Sequence, residues 1–238
     1  MMRSDSRIWL ALVALIVLME PAAASAQDWR VFANLDRYAQ ENERLPSKIP
    51  DEPRVVLMGD SITEMWTTFR PEFFDSSGYI NRGISGQTSP QMLLRFRHDV
   101  IELEADAVAI LAGTNDLAGN SGEASVEDIA GFVMAMADMA HNRGVKVIVC
   151  SVLPVIDYPW FPGRDPATKI VALNELLRDY ANAKGHTYVD YYSAMVDDAG
   201  GLRVPEFTSA QDLVHPNSAG YEVMESLLKP AIQSALGE

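Results

Sequence analysis

Cysteine is almost missing from this chain. Cys150 is the only one in 238 residues, so no disulfide can close within the chain and a small disulfide-stapled scaffold is excluded. It lies in the apolar run Val145 to Cys150, where a buried, inert thiol is expected rather than a nucleophile. Positive charge is scarce as well: 19 Lys and Arg stand against 33 Asp and Glu, a formal net charge of -14. Phosphate backbones and anionic lipid surfaces would repel such a chain, which excludes nucleic acid as an expected partner and argues against stable membrane association. Histidine is limited to four positions, so few residues can serve as a base. The sequence contains no internal repeat, low-complexity linker or lid-sized apolar insertion.

What is present begins with an export signal. Arg3 and Arg7 precede the apolar run Ile8 to Met19, and Ala22-Ala23-Ala24-Ser25-Ala26 offers a cleavage site before Gln27. The run is shorter than the roughly 20 residues a membrane-spanning helix needs. Residues 1–26 therefore read as a signal peptide and 27–238 as one catalytic domain, long enough for one buried core. No cysteine follows the signal region to receive a lipid, so a periplasmic or secreted location is expected.

Downstream, short β-branched runs alternate with amphipathic stretches. Strands are expected at Arg54 to Met58, Tyr79 to Asn81, Ala107 to Leu111, Val145 to Val152 and Thr187 to Asp190. Helical patterns cover Trp29 to Asn42, Pro90 to Leu103, Val126 to Asn142, Ala167 to Ala183 and Ser218 to Leu236. The spacing leaves room for right-handed crossovers, which predicts an α/β fold with a parallel sheet covered by helices on both faces. In such folds the site forms at the carboxyl ends of the strands.

Chemistry-bearing blocks sit at those ends. Gly59-Asp60-Ser61 follows the first strand, where a serine points out of the sheet beside the unpaired amides of a starting helix. Ser61 is then either a nucleophile or, with Asp60, a cap of that helix. A nucleophilic serine needs a base, and His215 is the candidate, in a loop before the last helix with Asp212 three residues earlier. That spacing lets the carboxylate reach Nδ1–H and turn Nε2 toward the serine. An Asp-x-x-His pair also suits a metal, but no further ligands at suitable spacing stand out, so neither metal nor cofactor is expected. Donors for an oxyanion are available from the amides of Ser61 and Gly86 and the side chain of Asn115. A turn glycine and a capping asparagine explain the last two equally well.

Taken together, Gly59-Asp60-Ser61-Ile62, Asn81-Arg82-Gly83-Ile84-Ser85-Gly86-Gln87-Thr88, Gly113-Thr114-Asn115-Asp116 and Asp212-x-x-His215 resemble the motif blocks of the SGNH (GDSL-like) hydrolases. Ile62 replaces the commoner leucine. The resemblance implies Ser61 as nucleophile, His215 as base, Asp212 as its orienter, and Ser61, Gly86 and Asn115 as the oxyanion hole. It also implies a flavodoxin-like three-layer α/β/α fold with about five parallel strands. The implied activity is carboxylic ester hydrolysis through an acyl-enzyme.

For the substrate, the sequence offers the stiff loop Leu153 to Arg164 after the fourth strand. Its Tyr158, Trp160 and Phe161 can form an acyl wall or a platform for a sugar ring, or can pin the loop to the core. The expected substrates are short-chain acyl esters, O-acetyl groups on carbohydrates foremost. A lysophospholipase or thioesterase acting on longer chains is the alternative, and a non-catalytic carbohydrate-binding protein the remote one.

Overall fold

The computed structural model describes residues 28–50, 52–75 and 77–237, so the expected signal peptide lies outside the described residues. Five strands form one all-parallel sheet: β1 (Val55–Gly59), β2 (Ile80–Gly83), β3 (Ala107–Ile110), β4 (Lys146–Cys150) and β5 (Thr187–Val189). Their order is β2-β1-β3-β4-β5, the flavodoxin-like arrangement. All five overlap the expected runs, and the three central ones, β1, β3 and β4, do so because strands covered on both faces need apolar residues along their length.

The pleat divides those residues between two cores. Val56, Met58, Val108, Ile110, Val147 and Val149 face one layer of helices. Val55, Leu57, Ala107, Ala109, Ile148 and Cys150 face the other. The first layer comprises α5 (Ser89–Phe96), α7 (Val126–His141) and α8 (Pro166–Lys184), which bury Phe96, Met136 and Leu177. The second comprises α3 (Ser61–Phe69), α4 (Pro71–Asp75), α9 (Tyr191–Met195) and α10 (Ser218–Leu236), with Trp66, Phe73, Tyr191 and Tyr221 inside. Slipping any strand by one residue would exchange its two faces, so the register Leu57↔Asn81 and Leu57↔Ala109 is fixed from both sides. Buried Cys150 has its thiol pushed up to about 12 by burial, against its bond to the Tyr191 hydroxyl at 3.7 Å.

The helical expectations need two corrections. Trp29 to Asn42 is not one helix but α1 (Trp29–Ala33) and α2 (Ala39–Arg44). Asn34 breaks it by adopting the left-handed conformation (φ 54°), with its N–H closing on the Arg30 and Val31 carbonyls; Asn is among the few non-glycine residues that tolerate this. The stretch expected as helix to Leu103 leaves α5 and continues as a π-helical turn over Arg97–Ile101. That turn holds Asp99 buried against Arg95 (2.9 Å) and Asn42 (2.8 Å). Three short helices, α4, α6 (Thr114–Ala118) and α9, are absent from the sequence expectations, since five residues are too few to show a period. Among the described residues no helix is long and apolar enough to cross a membrane.

Candidate active site

The carboxyl ends of β1, β2 and β3 and the loop before α10 meet at one point. At the end of β1 the chain turns directly into α3. Gly59 is required there because a Cβ would lie 2.0 Å from the Thr63 hydroxyl oxygen. Asp60 supplies the helix cap, its carboxylate accepting the Ile62 N–H at 2.9 Å. The cap and the serine are thus separate residues, and the Ser61 hydroxyl is left for another partner. That partner is His215, whose Nε2 lies 2.9 Å from Ser61 Oγ. As the first residue of α3, Ser61 also presents an amide N–H with no acceptor within the helix.

His215 is held by the loop around it. Its Nδ1 is 2.8 Å from Asp212 Oδ1, and the same oxygen accepts the backbone N–H groups of His215 (2.8 Å) and Val214 (3.1 Å). Leu213, at φ 66°, folds the chain so that a residue three positions back can make these bonds. The Thr208 hydroxyl donates to the His215 carbonyl at 2.9 Å. Burial pushes the Asp212 carboxyl up, but the His215 amide, the imidazole and the Val214 amide outweigh it and hold the group below the usual carboxylate range. An ionised Asp212 only accepts hydrogen bonds, so Nδ1 carries the ring proton and Nε2 is free to take one from Ser61.

Gly86 and Asn115 border the same space. Gly86 is the third residue of a turn closed by Gln87 N–H to Ile84 O at 3.2 Å, and its φ of 77° is the conformation that position demands. The Asn115 side chain, 3% exposed, donates to the Gln87 carbonyl at 3.0 Å. That uses one of the two N–H groups on Nδ2. The turn-glycine and capping readings therefore describe real local contacts without exhausting either residue. Asp116, the next residue, is fully engaged: Ser89 donates to it through its amide (3.0 Å) and its hydroxyl (2.6 Å).

The three aromatic residues of the loop after β4 separate. Tyr158 is 0% exposed, packs in the first core and shares a 3.2 Å hydrogen bond with the Thr114 hydroxyl. It is a core anchor with no surface for a ligand, which corrects its assignment to a substrate wall. Trp160 is 45% exposed, and its ring centroid lies 6.3 Å from that of His215. Phe161 is exposed under the Arg164 guanidinium, 4.0 Å from its ring centroid. The other histidines lie elsewhere: His98 pairs with Glu102, and His141 stacks edge-on to His186. Among the described residues no group of three or more His, Cys, Asp or Glu is placed to hold a metal ion.

Residues outside the motif blocks complete the site. Arg95 is fully buried and donates to the carbonyls of Gly59 (3.0 Å) and Arg82 (2.9 Å) and to the Gln87 side chain (2.6 Å). It ties the ends of β1 and β2 to the turn that carries Gly86. Sequence pattern places an arginine on the wet face of a helix, and only the four-residue spacing to Asp99 hinted otherwise. Asn120 likewise carries no local signal of its contact with Asn115 Oδ1 at 2.9 Å. Glu64, one turn after Ser61, accepts from the Ser85 amide (2.8 Å) and from Arg37 (3.1 Å), making a polar rim.

Comparison with known proteins turns this arrangement into a family assignment. The model of the GDSL-like Lipase/Acylhydrolase family matches residues 57–223. The chain belongs to that family. A GDSL-like lipase of known structure from Bacteroides thetaiotaomicron VPI-5482 is 46% identical, with a TM-score of 0.83 over 86% of this chain and 99% of its own. A candidate acylhydrolase from Bacteroides fragilis NCTC 9343 gives the same identity and TM-score over 86% and 98%. An acetylxylan esterase from Geobacillus stearothermophilus shares the fold alone, at 17% identity and TM-score 0.62 over 80% of this chain and 96% of that one. An uncharacterized lipoprotein of Bacillus subtilis (strain 168) is 22% identical over 58% of this chain, and the match spans only 64% of its length.

Proposed function

We propose that this GDSL-family chain is a serine esterase that works through an acyl-enzyme on Ser61. The observation that carries the proposal is the continuous contact Ser61 Oγ to His215 Nε2 (2.9 Å) and His215 Nδ1 to Asp212 Oδ1 (2.8 Å). In the first step the Ser61 oxygen bonds to the ester carbonyl carbon while Nε2 takes its proton. Asp212 stabilises the imidazolium as it forms. The carbonyl oxygen, now negative, is met by the Ser61 and Gly86 amides and the second N–H of Asn115. Collapse breaks the bond to the alcohol, which leaves with the proton from Nε2. Water then repeats the sequence on the acyl-serine and restores the enzyme.

The substrate class we assign is short-chain acyl esters, with O-acetyl groups on carbohydrates foremost. Trp160 supports this reading, because a half-exposed indole beside the base can stack on a sugar ring. The polar rim of Ser85, Glu64 and Arg37 supplies partners for hydroxyl groups. A chain-length series of p-nitrophenyl esters tests it, and a rate that climbs toward long acyl chains would favour the lysophospholipase or thioesterase reading. Residues 1–26 are assigned as an export signal and the remainder as one catalytic domain.

The mechanism is tested at Ser61. Ser61→Ala is expected to lower kcat at least about a thousandfold with the fold intact, and a serine-directed phosphonate should label the wild type at that residue. Retention of more than about a tenth of wild-type kcat would remove Ser61 as nucleophile.

A further inference from the structure

We infer that Asn120 is a positioning residue that sets the two oxyanion donors other than Ser61, an inference that rests on the serine-esterase reading above. Asn120 lies beyond the Gly113-Thr114-Asn115-Asp116 block, just after the C-cap of α6. Gly119, at φ 84°, turns the chain there, and the Asn120 amide bonds the Asn115 carbonyl at 3.0 Å. The side chain then reaches back into the site. Its Nδ2 donates to Asn115 Oδ1 at 2.9 Å and to the Gly86 carbonyl at 3.1 Å. Its Oδ1 accepts the Trp160 indole N–H at 3.4 Å.

These contacts fix orientations that the chemistry needs. A side-chain amide turned by half a revolution exchanges donor for acceptor. For Asn115 that exchange would aim an oxygen at the developing oxyanion. The Gln87 carbonyl can only accept, so it holds the Nδ2 end of Asn115; Asn120 holds the Oδ1 end by donating to it. The Gly86 carbonyl likewise only accepts, which fixes which end of Asn120 faces inward. One amide group therefore locks the rotamer of Asn115 and anchors the turn carrying the Gly86 N–H. Preorganised donors are the ones that stabilise a transition state without reorganising during it.

The test compares kcat and KM of wild type, Asn120→Ala, Asn115→Ala and the double variant on p-nitrophenyl acetate. Losing a direct oxyanion donor costs about 10² to 10³ in kcat, and loosening donors that remain costs less, so Asn120→Ala is expected to lower kcat about 30-fold with KM within about twofold. In the Asn115→Ala background the same change should cost at least about threefold less, because part of what Asn120 positions is already gone. An equal factor in both backgrounds, as a general structural defect would give, overturns the inference. So does wild-type kcat in Asn120→Ala beside a large loss in Asn115→Ala. Wild-type kcat in Asn115→Ala instead overturns the reading of the oxyanion hole, and this inference with it. Should Asn120→Ala fail to fold, Asn120→Ser, whose hydroxyl keeps one donation, carries the same comparison.

Discussion

Replacing Asp212 by Asn isolates the charge of the acid from its geometry. Asp212 Oδ1 accepts three hydrogen bonds, two of them from the backbone amides of Val214 and His215. Those amides can only donate, so they should select the oxygen end of the substituted carboxamide and keep it facing His215 Nδ1–H. The ring tautomer is then preserved, and what disappears is the negative charge beside the forming imidazolium. With charge centres on the order of 4 Å apart, Coulomb's law gives about 4 kcal/mol at an effective dielectric of about 20 and about 1 kcal/mol at about 80. The Asp212 side chain is 35% exposed and that of His215 19%, so solvent screens the pair in part. An intermediate value of about 2 to 3 kcal/mol corresponds to roughly a 30- to 150-fold loss of kcat/KM. The assay is initial rates of p-nitrophenyl acetate hydrolysis by Asp212→Asn and wild type at pH 7.5, with melting temperatures on the same preparations. A loss under about threefold would show that Asp212 does not stabilise the imidazolium. A loss of about 10⁴, the size seen when a triad histidine takes the wrong tautomer in a well-studied protease, would show that the backbone amides fail to select the oxygen.

Three further predictions follow from contacts already described. Asn115→Ala should lower kcat by about 10² to 10³ with KM little changed, whereas unchanged kcat with a depressed melting temperature would reduce Asn115 to a turn residue. Arg95→Leu takes one bond from each of Asp99, Gly59, Arg82 and Gln87, although Asp99 keeps Asn42 and the Gly59 carbonyl keeps the Ile84 amide; at about 1 to 3 kcal/mol for each group left without its partner, we expect a loss above about 2 kcal/mol, and urea denaturation showing less than about 1 kcal/mol would refute that accounting. Burial pushes the Asp60 carboxyl up to about 7, against the pull of its Ile62 amide bond. Because its folded pKa lies above the unfolded value of about 3.9, the native state holds the extra proton between the two. Asp60 should therefore make stability fall as pH rises through that window, by at most about 1.4 kcal/mol per pH unit. Asp60→Asn keeps the helix cap and should remove that slope in urea melts taken from pH 4.5 to 7.5; an unaltered slope would place the effect elsewhere.

Much of this protein is legible in its sequence alone, for a physical reason. Parallel strands buried on both faces must be apolar along their length, so Val55 to Met58, Ala107 to Ile110 and Val147 to Cys150 announce themselves by composition alone. Glycines that admit no Cβ, such as Gly59, and the short spacing of Asp212 to His215 are local constraints too, written within a few residues. Tertiary structure decided whatever depends on polar atoms meeting across distance. Ser61 and His215 are 154 positions apart, and only the turn at Leu213 and the order of the sheet bring Oγ within 2.9 Å of Nε2. Arg95 and Asn120 look like ordinary polar residues until their partners in other segments are known. The same holds for Tyr158 and Trp160, two aromatic residues of one loop. One is sealed in the core and the other lies open beside the base, because a sequence records how hydrophobic a side chain is but not which neighbours the fold will set against it.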